Sequence, residues 1–436
     1  MNEARCEDMA EQSFEQQVER DARWNFSVNL VDISFISLGL SLISRETVIP
    51  SLMRTLTDSP VVIGLLPAVY SLAMFLPQLL GASYSERMPR KLPFVALVGS
   101  LGERVPYLLA GVVVLLFAER APAVALFGLI ALFGMSAASA GFATPAWYDL
   151  IAKVIPLRRR GLFSGVGHGL GALMGVAGAA LIGPILERWP YPTNYFILFA
   201  LAGVGLTISW VGLILNREPP SPSVRPAMSL RSYLGRLPAI LRTNQNFARY
   251  LVATGVVRAA TMVGAFLLVA GTERFKLGGG EVGLLTGVLI GAQAGMNMLW
   301  GVLGDRSGHK IVLVGGALAL AASAALAWLG PSWPWLVAAF VLLGGFLAAD
   351  SSSFLNIIIE FCPDEERPTY IGLTNTLLTP VVALAPLLGG WLAAAAGYGP
   401  MFALAAALAI LGAILLATQV REPRHSTPDG GAALSD

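Results

Sequence analysis

From residue 26 to residue 418 the chain is a succession of long apolar runs, each close to the length a helix needs to cross a bilayer. A helix rises about 1.5 Å per residue, so roughly 20 apolar residues cover the hydrocarbon. Twelve stretches meet or approach that length, at about 26–50, 60–84, 92–116, 122–148, 161–187, 193–215, 247–271, 281–303, 310–330, 335–361, 369–394 and 398–418. Lipid offers no partner to a backbone N–H or C=O, so each stretch is expected to be helical, and open strands are excluded. The ten-residue alternation of a membrane barrel is absent. Only 13% of residues are charged and mean hydropathy is +0.68, against about 25% charged in soluble domains. The expected fold class is an all-α membrane protein with twelve transmembrane helices.

Lys and Arg set the orientation. With the N-terminus inside, the cytoplasmic segments collect Arg87, Arg90 and Lys91; Lys153, Arg158, Arg159 and Arg160; Arg217 and Arg225 through Arg249; Arg306 and Lys310; and Arg421 and Arg424. The other side holds Arg54, Arg120, Arg188, Arg274 and Lys276. Both termini are therefore expected in the cytoplasm, with the chain in the cytoplasmic membrane. Residues 1–25 are acid-rich, the opposite of a signal peptide, and read as a cytoplasmic tail. Residues 419–436 form the second tail. Cys6 and Cys362 both fall on the reducing side, so neither a disulfide nor a Cys-based metal site is expected. The net charge of +2 suggests no nucleic-acid partner.

The longest interruption, 216–246, opens Pro-rich and continues as SLRSYLGRLPAILR, which reads as an interfacial helix on the membrane surface. It divides the chain into bundles at 26–215 and 247–418, six spans each. The halves repeat weakly. Pro156-x3-Arg160-x4-Gly165 follows the fourth span and Pro363-x3-Arg367-x4-Gly372 the tenth; Gly64-Leu65-Leu66 begins the second and Gly283-Leu284-Leu285 the eighth. Such repeats place a transporter's site between the halves, near the bilayer midplane.

Between the eighth and ninth spans the chain reads Gly301-x-Leu303-x-Asp305-Arg306-x-Gly308-x-Lys310. Tight turning favours glycine, and Arg306 with Lys310 holds the turn inside. This motif resembles the loop signature of the major facilitator superfamily. Pro386–Trp391 with the following GYGPMFALAAALAIL, and GFATPAWYDLIAKVIPLRRRG from Gly141, resemble that family too. The resemblance implies two pseudo-symmetric six-helix bundles that rock about a central site, acting as a monomer. It also implies that Gly301, Asp305, Arg306, Gly308 and Lys310 form a cytoplasmic gate. The first-half equivalent, GASYSERMPRK, departs from the pattern, with Ser85 in place of the acid and Glu86 one position late. Small residues at Gly167, Gly171, Gly175, Ala179 and Gly183 line one face of the fifth span. They partly resemble the family's antiporter signature and read on their own as close helix packing.

Ionisable residues inside spans cost on the order of 3 kcal/mol each and are site candidates. On a continuous helix Asp32 and Glu46 lie within about 40° of each other and share a face; an aqueous path and simple snorkelling both fit. Glu46, shortly before Pro50, resembles the coupling acid of some drug–proton antiporters of the family. Arg258 and Asp350 lie near the middle of the seventh and tenth spans and are expected to face each other, as a switchable or a permanent pair. His168, on the fifth span, is a candidate proton relay. Gln293, Asn297, Ser353 and Asn375 are candidate cavity lining. Glu103 and Arg104 are read as local structure.

No GxxxxGK[ST], HExxH or GxSxG occurs. No enzymatic activity, catalytic residue, metal or cofactor is expected. The expected function is secondary transport of a small solute by alternating access, foremost proton-coupled efflux of an amphipathic compound. Uptake of a polar or anionic metabolite is the alternative within the class, and a non-transporting membrane sensor the alternative outside it.

Overall fold

Among the described residues of the computed structural model, twelve helices are long and apolar enough to cross a membrane. The structure describes residues 3–85, 87–221, 239–362 and 366–425. Outside these lie Glu86, Pro363 of the second repeat, most of the expected interfacial helix (residues 222–238) and residues 426–436.

Eight spans are single helices. Pro122–Val154, Arg160–Arg188 and Thr193–Ile214 are the fourth to sixth, and Gly279–Ser307, His309–Leu329 and Trp333–Glu360 the eighth to tenth. The eleventh and twelfth are Arg367–Ala396 and Tyr398–Gln419. The remaining four are interrupted. The first span runs from Glu3 to Leu42, leaves helix at 43–47 and resumes at Val48–Leu56. Pro50 explains the break: it offers no N–H to the carbonyl of residue 46, and its ring crowds that carbonyl. The second span breaks at Leu76–Pro77, between Pro60–Phe75 and Gln78–Ser85. The third passes through a π-helical turn, Val95–Leu101, between Leu92–Phe94 and Gly102–Phe117. The seventh is Gln245–Ala259, a turn at 260–261, then Met262–Phe275. There the Thr261 hydroxyl donates back to the Arg258 carbonyl at 2.7 Å. The first and seventh spans are repeat equivalents, and both are interrupted helices.

The halves approach most closely on the side away from the termini. A methyl group on Gly64 would lie 2.3 Å from the Pro386 carbonyl oxygen, and one on Gly390 would lie 2.5 Å from that of Pro60, so the second and eleventh spans touch backbone to backbone. One on Gly283 would lie 2.7 Å from the Gly183 nitrogen, giving the fifth and eighth spans the same intimacy. The glycine stripe of the fifth span packs as a close-approach face: Gly167 and Gly171 meet Ile33 and Ser37 of the first span, and Gly175 meets Ile290 of the eighth. Toward the termini the fifth and eighth spans part, and nothing lies against Gly165, Gly169, Gly291 or Gly295. The structure is thus closed on the far side, and toward the termini the seam between the fifth and eighth spans is open.

Candidate functional site

The breaks of the first and seventh spans each carry an arginine. Arg258 stands at the end of the seventh span's first helix and receives Asp350 of the tenth in a two-pronged ion pair, Nη1 to Oδ2 at 3.0 Å and Nη2 to Oδ1 at 2.5 Å. Its guanidinium lies over the Phe354 ring, 4.5 Å from the centroid. Both side chains are mostly buried, and a cavity of about 20 Å³ beside them is lined by Thr254, Arg258, Phe354 and Asp350 among others. A water needs roughly 10–15 Å³, so about one fits against the pair. The Thr254 hydroxyl in that lining has no hydrogen-bond partner. Arg45, in the first break, is exposed, and its guanidinium lies over the Tyr70 ring, 4.3 Å from the centroid.

The first span does not present Asp32 and Glu46 on a common face, because the helix between them is interrupted at 43–47. Asp32 is buried and consumed locally: Arg104 Nη2 approaches its Oδ1 at 3.4 Å, and Ser209 Oγ donates to the same oxygen. Arg104 also donates to the Leu206 carbonyl at 2.9 Å and to Ser209 Oγ at 2.6 Å. This group ties the first, third and sixth spans together. Glu46 is half-buried in the break and accepts a 3.3 Å bond from Ser44 Oγ.

His168 is exposed, with Nδ1 2.7 Å from the Ser164 carbonyl of its own helix, and no acid or base among the described residues is brought to it. Gln293 and Asn297 are half-buried on the eighth span, and Asn297 Oδ1 accepts from Ser351 Oγ at 2.9 Å. Asn375 donates to Gln78 Oε1 at 3.2 Å, bridging the halves between the eleventh and second spans. Ser353 departs from the expectation of cavity lining. It is fully buried inside the second half, 3.1 Å from His309 Nδ1.

Polar bonds join the halves on the closed side. Arg54 Nε meets Glu273 Oε1 at 3.1 Å, and Tyr398 Oη donates to the same oxygen at 3.3 Å. Thr47 and Thr286 share a 2.6 Å bond. Glu187 Oε1 accepts from the Gly280 amide at 2.8 Å. No sequence signal pairs Arg54 with Glu273, although they stand in the second helices of the first and seventh spans, Val48–Leu56 and Met262–Phe275. The loop motif, by contrast, bridges nothing here. Asp305 and Arg306 are exposed, and among the described residues their side chains form no ion pair. Gly301 is half-buried with nothing against it, and Gly308 holds φ +90°.

What engages the motif is the segment after the twelfth span. Arg424 Nη1 donates to the Gly304 and Asp305 carbonyls at 3.2 and 3.1 Å, Nη2 lies 3.0 Å from His309 Nε2, and Nε pairs with Glu360. Glu422 Oε2 accepts from the Lys310 amide at 3.1 Å, capping the ninth span, while Lys310 Nζ donates to the carbonyls of Ala417 and Val420. The first half builds the same device. Glu218, after the sixth span, accepts from the amides of Lys91 and Leu92 at 2.8 Å each, capping the third span, and pairs with Lys153 at 2.8 Å. Asn25 clamps the backbone of Arg217 and Asn246 that of Arg421, each through one donated and one accepted bond. The repeat Arg217-Glu218-Pro219 and Arg421-Glu422-Pro423 stands in the sequence.

Burial pushes the Glu422 carboxyl above the ordinary glutamate range, and nearby Glu360 adds to this against the Lys310 amide and the charges of Arg424 and Lys310. Because the folded value lies above the unfolded one, this stabilising contribution is complete below the unfolded value and lost as pH rises through the folded one. Melting curves over a pH series should show that falling step in the wild type, and Glu422→Gln should remove it.

Among the described residues no group of three or more His, Cys, Asp or Glu is placed to hold a metal ion.

Comparison with known proteins agrees with this architecture. The quinolone resistance protein NorA of Staphylococcus aureus is 23% identical over 154 residues, which are 35% of this chain and 39% of that protein. The chain thus matches well under half the length of that relative. Among solved structures, a D-xylose–proton symporter superposes with a TM-score of 0.69 at 14% identity, covering 92% of this chain and 99% of the other. The nucleoside transporter NupG superposes at 0.65 and 13%, covering 91% and 100%. The family model described as Major Facilitator Superfamily matches residues 33–273 and 250–434. With twelve spans, two halves closed against each other on one side, and a family model matching nearly the whole length, the chain belongs to the Major Facilitator Superfamily of membrane transporters.

Proposed function

We propose that this transporter exports a small amphipathic compound across the cytoplasmic membrane in exchange for protons, with both termini in the cytoplasm and Asp350 as a proton-carrying group. One observation carries the reading: the two-pronged Arg258–Asp350 pair at a mid-membrane helix break, beside space for a water. A proton reaching Asp350 neutralises the carboxylate and frees the guanidinium, which changes what holds the seventh span against the tenth. Loss of the proton to the other side restores the pair. Export direction is supported by the partial similarity to a quinolone resistance protein, and the excess of Lys and Arg on the terminal side supports the orientation.

In reconstituted vesicles, Asp350→Asn should lose flux driven by a pH gradient while keeping gradient-independent exchange of labelled compound. Asn keeps the shape and accepts from Arg258 but cannot carry a proton. Gradient-driven flux with unaltered pH dependence in that variant would remove Asp350 from the mechanism.

A further inference from the structure

The two arginines at the breaks differ in one respect. Arg258 lies on an aromatic ring with its N–H fork filled by a protein carboxylate. Arg45 lies on an aromatic ring with no carboxylate at its fork: among the described residues its guanidinium forms no hydrogen bond and no ion pair. Tyr70 stands about 15 Å along the second span from its start at Pro60, halfway through a bilayer core of about 30 Å. A guanidinium facing lipid at such depth costs on the order of 3 kcal/mol or more. Arg45 is nonetheless exposed, while Ser44, Thr47 and Val48 around it are buried. The exposure is therefore to the water-accessible interior, and the charge is held there by the ring beneath it.

A guanidinium stacked by one face keeps its planar edge free, and that edge matches a carboxylate in two parallel bonds. Asp350 on Arg258 over Phe354 is this arrangement completed within the protein. On Arg45 over Tyr70 the carboxylate must come from elsewhere.

The surrounding charge narrows the ligand further. Glu46 adjoins Arg45 in the chain. Glu46 has one hydroxyl partner and, among the described residues, no cation at its carboxylate. Arg104, the other nearby base, is taken by Asp32. A free guanidinium beside a carboxylate that has no cation of its own disfavours a plain anion and favours a molecule carrying its own positive charge. We propose that the break at 43–47 is a substrate subsite for an amphipathic zwitterion. Arg45 takes the carboxylate, Glu46 the ammonium, and the Tyr70 side the flat apolar body. This deepens the exporter reading and rests on it for the direction of movement.

The test uses the full-length purified protein and four forms of one aromatic scaffold: 4-phenylphenylalanine (zwitterion), its amide (cation), its N-acetyl derivative (anion) and the doubly capped molecule (neutral). Affinity is read by ligand-induced thermal stabilisation at pH 6. The zwitterion should bind about tenfold or more tighter than the neutral form. Arg45→Gln should drop it to the level of the cation, and Glu46→Gln to the level of the anion. Arg45→Lys, which keeps the charge but not the fork, should fall between, and its ligand-free melting point guards against a folding artefact. Equal binding of neutral and zwitterionic forms, an unchanged order in Arg45→Gln, or no binding of any form would overturn the subsite. If the order holds but a proton gradient moves no labelled zwitterion, the exporter reading fails and the subsite stands. If gradient-driven export of another compound is found without the order, the subsite alone fails.

Discussion

A Gly64→Val chain inserts, folds and does not transport. A Cβ at position 64 would sit 2.3 Å from the Pro386 carbonyl oxygen and 2.9 Å from its carbonyl carbon. The obstacle is backbone in the opposite half, so no side-chain rotation relieves it. Each six-helix bundle keeps its own core, since the clash lies between the halves and not within either. What is lost is the state closed on the side away from the termini, together with the Arg54–Glu273 and Thr47–Thr286 bonds that form in it. Alternating access needs both states, and a shift of about 2.7 kcal/mol between them changes their ratio about a hundredfold. Vesicle flux should fall by at least that factor, and Gly64→Ala should show a smaller loss. An independent readout is the reactivity of Thr47→Cys toward a membrane-impermeant thiol reagent, with Cys6 and Cys362 changed to serine. Position 47 is fully buried in the closed state. Labelling from the far side should therefore be slow in the Thr47→Cys chain and fast once Gly64→Val is added. Wild-type flux in Gly64→Val would mean that this contact is not part of the cycle.

The spans are legible because apolar length is a strong signal and lipid leaves a chain one local solution. The Arg258–Asp350 pair is legible for a related reason: charge at that depth demands a partner, and the repeat puts both residues in one half. The first span misleads when it is read as an unbroken helix. Counting 100° per residue from Asp32 to Glu46 assumes continuous turns, and Pro50 cancels that assumption four residues back. With the break, Asp32 goes to Arg104 and Arg45 gains the position that a face argument assigns to its neighbours. The gate expected at Asp305 and Arg306 depends on conformation, which sequence does not encode as a single answer. In this state those side chains are exposed and the far-side bonds are made. The carboxylate caps leave a trace that a search for repeats can find. Arg-Glu-Pro occurs after the sixth span and again after the twelfth, with an asparagine near the start of the first and seventh spans to hold each.

Those two caps also make the last expectation, because they are equivalent in position and unequal in environment. Glu218 satisfies two amides and a buried lysine, with side-chain exposures of 1% for Glu218 and 6% for Lys153. Removing it in Glu218→Ala leaves the Lys153 charge with only the Pro89 carbonyl, 2.9 Å away, and opens two amide donors at once; breaking a buried pair from one side costs about 3–5 kcal/mol. Glu422 meets one amide, its Oε1 is buried without a partner, and Glu360 opposes its charge. Glu422→Ala should therefore cost far less, and near neutral pH Glu422→Gln should be neutral or stabilising. Melting temperatures of the two alanine variants in one detergent would separate them, with Glu218→Ala many degrees lower. A double variant, Glu218→Ala with Lys153→Met, should recover part of the loss, because the stranded charge is gone while the two amides remain open. Equal losses at 218 and 422 would mean that the shared helix cap alone sets both energies, and that the buried lysine contributes nothing.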